Sequence, residues 1–258
     1  MEIAVETQTG AKYQFMDKAS FGDMDQLTIK RHKELESGTY KIIKHMCISC
    51  VLQLGPFLVG GLMTLCGSVL NYYLDRILGV LIQSSWFLYL GISLTIAVDR
   101  LLIFMTPYKP ALNSCLTKGL LILSWLLFLA IAILISFPGY GFTYDSLYLW
   151  NYNDGNGSTA MSDIEAYFDC IVLALIFVIY VVVFAKLLKL DRSSSSQSKV
   201  FTVELRMFMV SIISFVYETI FVVWSFWVPP LFEDQNYINI ALNLGWLVEC
   251  GLFPAPYS

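Results

Sequence analysis

From Met46 to Leu70 the chain carries no charged side chain, and an uncharged stretch of that length restricts the fold more than any other feature of the sequence. A helix rises about 1.5 Å per residue, so roughly 20 apolar residues cross a hydrocarbon core about 30 Å thick. Five further segments repeat the pattern. One fills the interval between Arg76 and Asp99, one runs from Gly119 to Phe137, and one runs from near Ala166 to Lys186. The last two cover Met207 to Phe232, broken by Glu218, and Tyr237 to Tyr257, broken by Glu249. In lipid a backbone must satisfy its own polar groups, which a helix does without neighbours. The runs are continuously apolar rather than alternating, so a barrel is not indicated. The expected fold is all-α, a polytopic transmembrane helix bundle with six spans.

Composition supports lipid as the solvent. Only 14% of residues are charged and 57% are hydrophobic, against about 25% charged in a soluble domain. The net charge of −4 gives no sign of a nucleic-acid partner. Six cysteines lie mostly inside apolar runs, which is not a secreted disulfide framework. Met1 to Lys44 is polar and mixed in charge, with no signal peptide. The expected division is therefore a polar cytoplasmic segment over 1–45 and a transmembrane helical domain over 46–258. Thirteen of the 16 basic residues fall between Lys30 and Lys44 ahead of span one or in the connections two–three and four–five, while the opposite connections carry only Arg76. Basic residues collect on the cytoplasmic side, so both termini are expected inside. The connection Pro138 to Asp163 lacks Lys and Arg and contains Asn156-Gly157-Ser158, an N-glycosylation acceptor on the expected outer face. The inner stretch Asp191 to Lys199 is a serine-rich tether or a phosphorylation site.

Several residues carry chemistry. Asp99-Arg100 is expected to close span two at the inner face, with Pro107 beyond it. An acid–arginine pair there stores a partly wet ion pair, worth about 1 kcal/mol or less, that can open toward a partner when helices part. Trp125 lies in span three, and the last span ends Phe253-Pro254-Ala255-Pro256-Tyr257. These features resemble those of rhodopsin-like receptors: an acid–arginine–aromatic triplet, here with Leu101 as its third member, a fourth-helix tryptophan, and Asn-Pro-x-x-Tyr, here with Phe253 in place of Asn.

The runs Tyr40 to His45, Gln53 to Leu65, Trp86 to Gly91 and Leu94 to Leu102 resemble those of nematode serpentine chemoreceptors of class T or class X, from about Tyr40 to Tyr257. The resemblance implies a G-protein-coupled receptor whose helices two to seven are the six spans, with the first helix lacking. It implies a small-molecule ligand, a heterotrimeric G-protein partner engaged through Asp99, Arg100 and Pro107, a C-terminal helix motif at Pro254 and Tyr257, and residence in the plasma membrane, or in the endoplasmic reticulum if the chain is truncated. There are departures. No cysteine lies at the outer start of span two or in the loop Pro138 to Asp163, so the usual outer disulfide is not expected. The letters Trp227-Val228-Pro229 lie near the outer end of span five.

Glu218 and Glu249 are costly in lipid and should face the bundle, as ligand contacts or as interhelical hydrogen bonds. The expected ligand pocket comprises Gln83, Trp86, Glu218, Asn243 and Trp246. Cys47-Ile48-Ser49-Cys50 puts two thiols on one helix face in a reducing compartment. Gly60-Gly61 suits close helix packing. No cofactor, metal or catalytic constellation is expected; the two histidines, His32 and His45, lie near the inner membrane edge. A transporter or channel and a non-signalling receptor fragment stay open as alternatives, although no internal repeat of the transporter kind is found. If the topology is as drawn, tags after Met1 and Ser258 both face the cytoplasm, and Asn156→Gln removes an endoglycosidase-sensitive mass shift. Digestion of the N-terminal tag on intact cells would contradict this arrangement.

Overall fold

The computed structural model of the chain describes residues 38–68, 71–105, 110–144, 150–153, 155–191, 198–227, 241, 244–248 and 250. Pro107, Val228, Pro229, Asn243, Glu249, Pro254 and Tyr257 lie outside the described residues, as do residues 192–197 of the serine-rich stretch. The chain divides into two compact units, 1–41 and 42–258. The described part of the first is residues 38–41, helical throughout.

Among the described residues, five helices are long and apolar enough to cross a membrane. They belong to α1 (Gly38–Cys66), α2 (Tyr72–Met105), α3 (Pro110–Ser136), α4 (Asn156–Asp191) and α5 (Ser198–Trp227). Residues 241, 244–248 and 250 are helical as well. Outside α2 the apolar faces point outward: Ile122, Leu126 and Ile133 on α3, Ile171, Leu175 and Val178 on α4, and Ile213, Val216 and Ile220 on α5 are all exposed. A water-soluble monomer does not carry such continuous apolar surface. Lipid is the medium that covers it, and the chain is an integral membrane protein.

The helices run past the apolar windows seen in the sequence. α1 begins at Gly38 rather than Met46, carrying exposed Lys41 and Lys44 on its first turns, and stops at Cys66 rather than Leu70. Charge marks where a helix leaves hydrocarbon; it does not end the helix. The stop is made by Gly67, with φ 60°, whose amide donates to the Thr64 carbonyl while the Ser68 amide reaches the Met63 carbonyl. That left-handed residue and its paired bonds form a Schellman-type cap. α2 then opens on Asn71, whose Oδ1 accepts the Tyr73 amide at 2.8 Å, an N-cap bond. α2 continues through Asp99 and Arg100 to Met105, so the pair lies inside the helix rather than at its close. α4 starts at Asn156, well before Ala166.

α2 is the central helix. In its most apolar window 61% of residues are buried, against 17% to 44% in the other four spans. Two apolar clusters form around it. One joins Trp86, Tyr89, Ile92 and Ile96 to Met46 of α1, Ile176 and Val183 of α4 and Phe208 and Val222 of α5. The other joins Ile82 and Phe87 to Phe57 and Met63 of α1, Ile131 and Ile135 of α3 and Met161 of α4.

The connection between α3 and α4 contains a hairpin that the apolar pattern does not announce. β1 (Phe142–Tyr144) and β2 (Trp150–Tyr152) pair antiparallel, Phe142 opposite Tyr152 and Tyr144 opposite Trp150. A lone two-stranded hairpin is marginal in water, and this one is clamped to the helices. Asp75 accepts the Tyr144 amide at 2.9 Å, and the Tyr144 hydroxyl bonds Thr64 of α1. Gly60 lies against the Trp150 and Tyr144 rings, so its close approach is to the hairpin rather than to a helix, and no atom approaches Gly61. Arg76, the one basic residue on this side, donates to the Ile135, Ser136 and Phe137 carbonyls at 3.1, 3.4 and 3.0 Å. It caps the end of α3, where helix carbonyls lack internal partners.

Gly79 faces the Phe142 carbonyl so closely that a Cβ would collide with backbone. Gly79→Ala should therefore lower thermal stability in detergent by about 1–3 kcal/mol. Gly61→Ala, with open space around it, should be neutral or stabilising by up to about 1 kcal/mol. Equal melting of the two variants would refute the backbone contact.

Candidate functional site

Gln83, Trp86, Tyr89 and Ser93 recur at helical spacing on α2, and each meets a polar group from another element. Trp86 donates its indole N–H to Asp169 Oδ2 of α4 at 3.1 Å. Tyr89 and Ser93 donate to Glu218 Oε1 of α5 at 2.9 and 3.1 Å. Gln83 donates to the Tyr152 hydroxyl at 2.6 Å, and Tyr152 donates to Glu165 Oε2 at 2.7 Å. Burial, and then the Glu165 carboxyl beside it, push the Tyr152 phenol far above its ordinary titration range, so it stays a donor. Gln53 of α1 completes the set: it donates to the Ser85 carbonyl and accepts from the Trp246 indole at 2.6 Å.

Aromatic rings fill the space between these bonds. Trp86 stacks on Tyr89 with ring centres 5.8 Å apart, and it packs on edge against Trp246 at 5.4 Å and Phe221 at 5.8 Å. Such pairs add about 0.5–1.5 kcal/mol each beyond their buried area. Two cavities adjoin the cluster. One, about 10 Å³, is lined by Glu218, Ser93, Ser211, Ser214 and Tyr180. The other, about 140 Å³, is apolar and lies between Tyr217, Phe221 and Trp224 of α5 and residues 241 and 245.

Four of the five expected pocket residues therefore lie in one connected region, with Trp86 at its centre, Gln83 toward the hairpin, and Glu218 deeper along α2; Asn243 lies outside the described residues. Glu165, Asp169, Gln53, Tyr89 and Tyr152 are the polar members that the pattern reading did not select. Asp169 had a visible signal, an acid inside the apolar run from Ala166 to Lys186. Tyr152 had none, because its place depends on the hairpin.

At the other end of α2, Asp99 and Arg100 are 8% and 2% exposed. Both are buried, not partly wet, and α3 reaches Asp99, whose Oδ1 accepts from Thr117 at 3.5 Å. Trp125 of α3 donates to His45 Nδ1 of α1 at 3.2 Å. Asn156 is exposed at the start of α4, while Ser158 is buried and bonded to Gly141. No disulfide joins the described cysteines; Cys50 is buried and Cys47 half-buried.

A family model described as serpentine type 7TM GPCR chemoreceptor Srx matches residues 29–249. No curated protein and no solved structure shows a significant match.

Ser93 supplies one of the two hydroxyls that satisfy Glu218. Ser93→Ala should cost about 1–3 kcal/mol, the usual penalty for a buried acceptor losing its donor. The cost should vanish in a Glu218→Met background, where the acceptor is gone. Melting curves of the four proteins in one detergent test this, and an undiminished cost in that background would refute the pairing.

Proposed function

Because the chain belongs to the Srx family of serpentine-type seven-transmembrane G-protein-coupled chemoreceptors, we propose that it binds a small molecule between α2, α4 and α5 at the plasma membrane and couples that binding to a heterotrimeric G-protein. The observation that carries the reading is one chain of contacts. Trp86 ties α2 to Asp169 of α4, and Tyr89, stacked on Trp86, ties the same helix to Glu218 of α5. α2 then runs without interruption to Asp99 and Arg100 at its other end.

A ligand shifts a conformational equilibrium only by its difference in affinity for the two states. Three helices are held by directional bonds around Trp86, so a ligand that replaces one of them favours a second arrangement of those helices. Asp99 and Arg100 are the inner-end pair, with Pro107, Pro254 and Tyr257 as further members of the coupling surface. Asn156 is the glycosylated residue of the outer connection.

The test compares the parent chain with Arg100→Ala for surface amount and for G-protein activation by a panel of small odorant and water-soluble molecules. Because Arg100 is buried, its removal lowers the surface amount as well, and activation is expressed per surface receptor. Activation per receptor should be lost in Arg100→Ala. A variant that signals as well as its parent would overturn the coupling role.

A further inference from the structure

We propose that Glu165 and Asp169 form the seat for the ammonium group of a small primary amine, which makes compact amines the ligand class of this receptor. The proposal deepens the receptor reading and rests on it for its physiological meaning.

The two acids stand one turn apart on α4, and both are deeply buried, Glu165 at 7% exposure and Asp169 at 0%. Each faces the other, and the remaining groups that reach them are neutral: Tyr152 and Gln83 at Glu165, Trp86 at Asp169. Among the described residues two oxygens of this cluster accept no hydrogen bond, Asp169 Oδ1 and Gln83 Oε1, and both belong to fully buried side chains. A buried acid is stable when it is paired with a positive charge and its oxygens are hydrogen-bonded. Neutral donors fill part of this site, and what it lacks is one positive charge bearing several N–H donors.

A primary ammonium has that composition. It carries one charge and three donors for the Asp169 oxygen, the Gln83 oxygen and the Glu165 carboxyl. A hard metal cation needs about six oxygen ligands, more than the two oxygens left unmet. Trp86 turns its N–H edge to Asp169 while its ring packs against Tyr89, Trp246 and Phe221, so the wall beside the acids is apolar and suits the short alkyl tail of an organic cation rather than a hydrated ion. Access lies on the hairpin side. Tyr152, bonded to both Gln83 and Glu165, comes from a connecting strand, so the group that covers Glu165 on this side belongs to the hairpin and not to a spanning helix.

The full chain in lipid nanodiscs is melted with methyl-, ethyl-, propyl- and butylammonium chloride, and with sodium chloride at matched ionic strength, using a thiol-reactive dye that reports exposure of the buried Cys50 and Cys250. At least one primary ammonium should raise the melting midpoint of the parent above the sodium reference. In Asp169→Asn the apparent affinity for that amine should fall about a hundredfold or more, the consequence of removing one partner of a buried charge pair. Without amine, Asp169→Asn should melt no lower than the parent, because the change removes an acid that lacks a counter-charge. If Asp169→Asn gives no folded protein, Glu165→Gln carries the same comparison. Absence of any ammonium shift in the parent, an equal shift in the variants, or an equal shift from sodium would each overturn the proposal. The readout does not involve signalling, so its failure leaves G-protein coupling standing, and a failure of coupling leaves the amine site standing.

Discussion

A carboxyl group inside a lipid-embedded bundle has no water to turn to, and its donors must come from neighbouring helices. Three buried carboxyls of this protein obey that constraint around one helix. Glu218 takes its donors directly from α2, Asp169 takes one from Trp86 of α2, and Glu165 takes its donor from Tyr152, which α2 holds through Gln83. The bundle is thereby organised by polar bonds that radiate from α2, while its apolar packing is spread over two clusters that share α2 as a wall. Lipid tails are as apolar as the leucines they meet, so apolar burial alone gives helices little reason to choose one partner over another. Directional bonds to Trp86, Tyr89 and Ser93 supply that choice.

The hairpin is held by the same economy of groups. Asp75 and Arg76, adjacent on α2, serve two different ends: the acid receives the Tyr144 amide and the base caps the last carbonyls of α3. Gly79, one turn on, lets the Phe142 carbonyl approach the helix. One end of α2 thus fixes the strand that carries Tyr152 toward Gln83 and Glu165. The reach of the site toward the outer connection is set by three consecutive turns of a single helix.

The binding and coupling ends proposed for this protein lie on one helix. Between Gln83 and Arg100, α2 is buried on most of its circumference, so in the proposed mechanism a change at Trp86 reaches Asp99 and Arg100 through a single packed element. Both of those residues are buried, and Thr117 of α3 donates to Asp99. Exposing them to the proposed partner therefore needs a rearrangement of their surroundings.

Much of this was legible in the chain itself. Uncharged runs such as Met46 to Leu70 can only be satisfied as spanning helices in lipid, and acids inside such runs must face inward, as Glu218 does. Gln83, Trp86 and Trp246 stood out by depth, about four turns from Arg100 in span two and at a comparable level in span six. Helix ends were less legible, because hydropathy reports where hydrocarbon stops while caps such as Gly67 and Asn71 decide where the backbone stops. Partnership was not legible at all. That Tyr152 meets Glu165, that Gln53 meets Trp246, or that Thr117 meets Asp99 depends on contacts between residues apart in the chain. One-dimensional periodicity specifies which face of a helix is polar; only the packing of helices against one another decides which polar groups that face will meet.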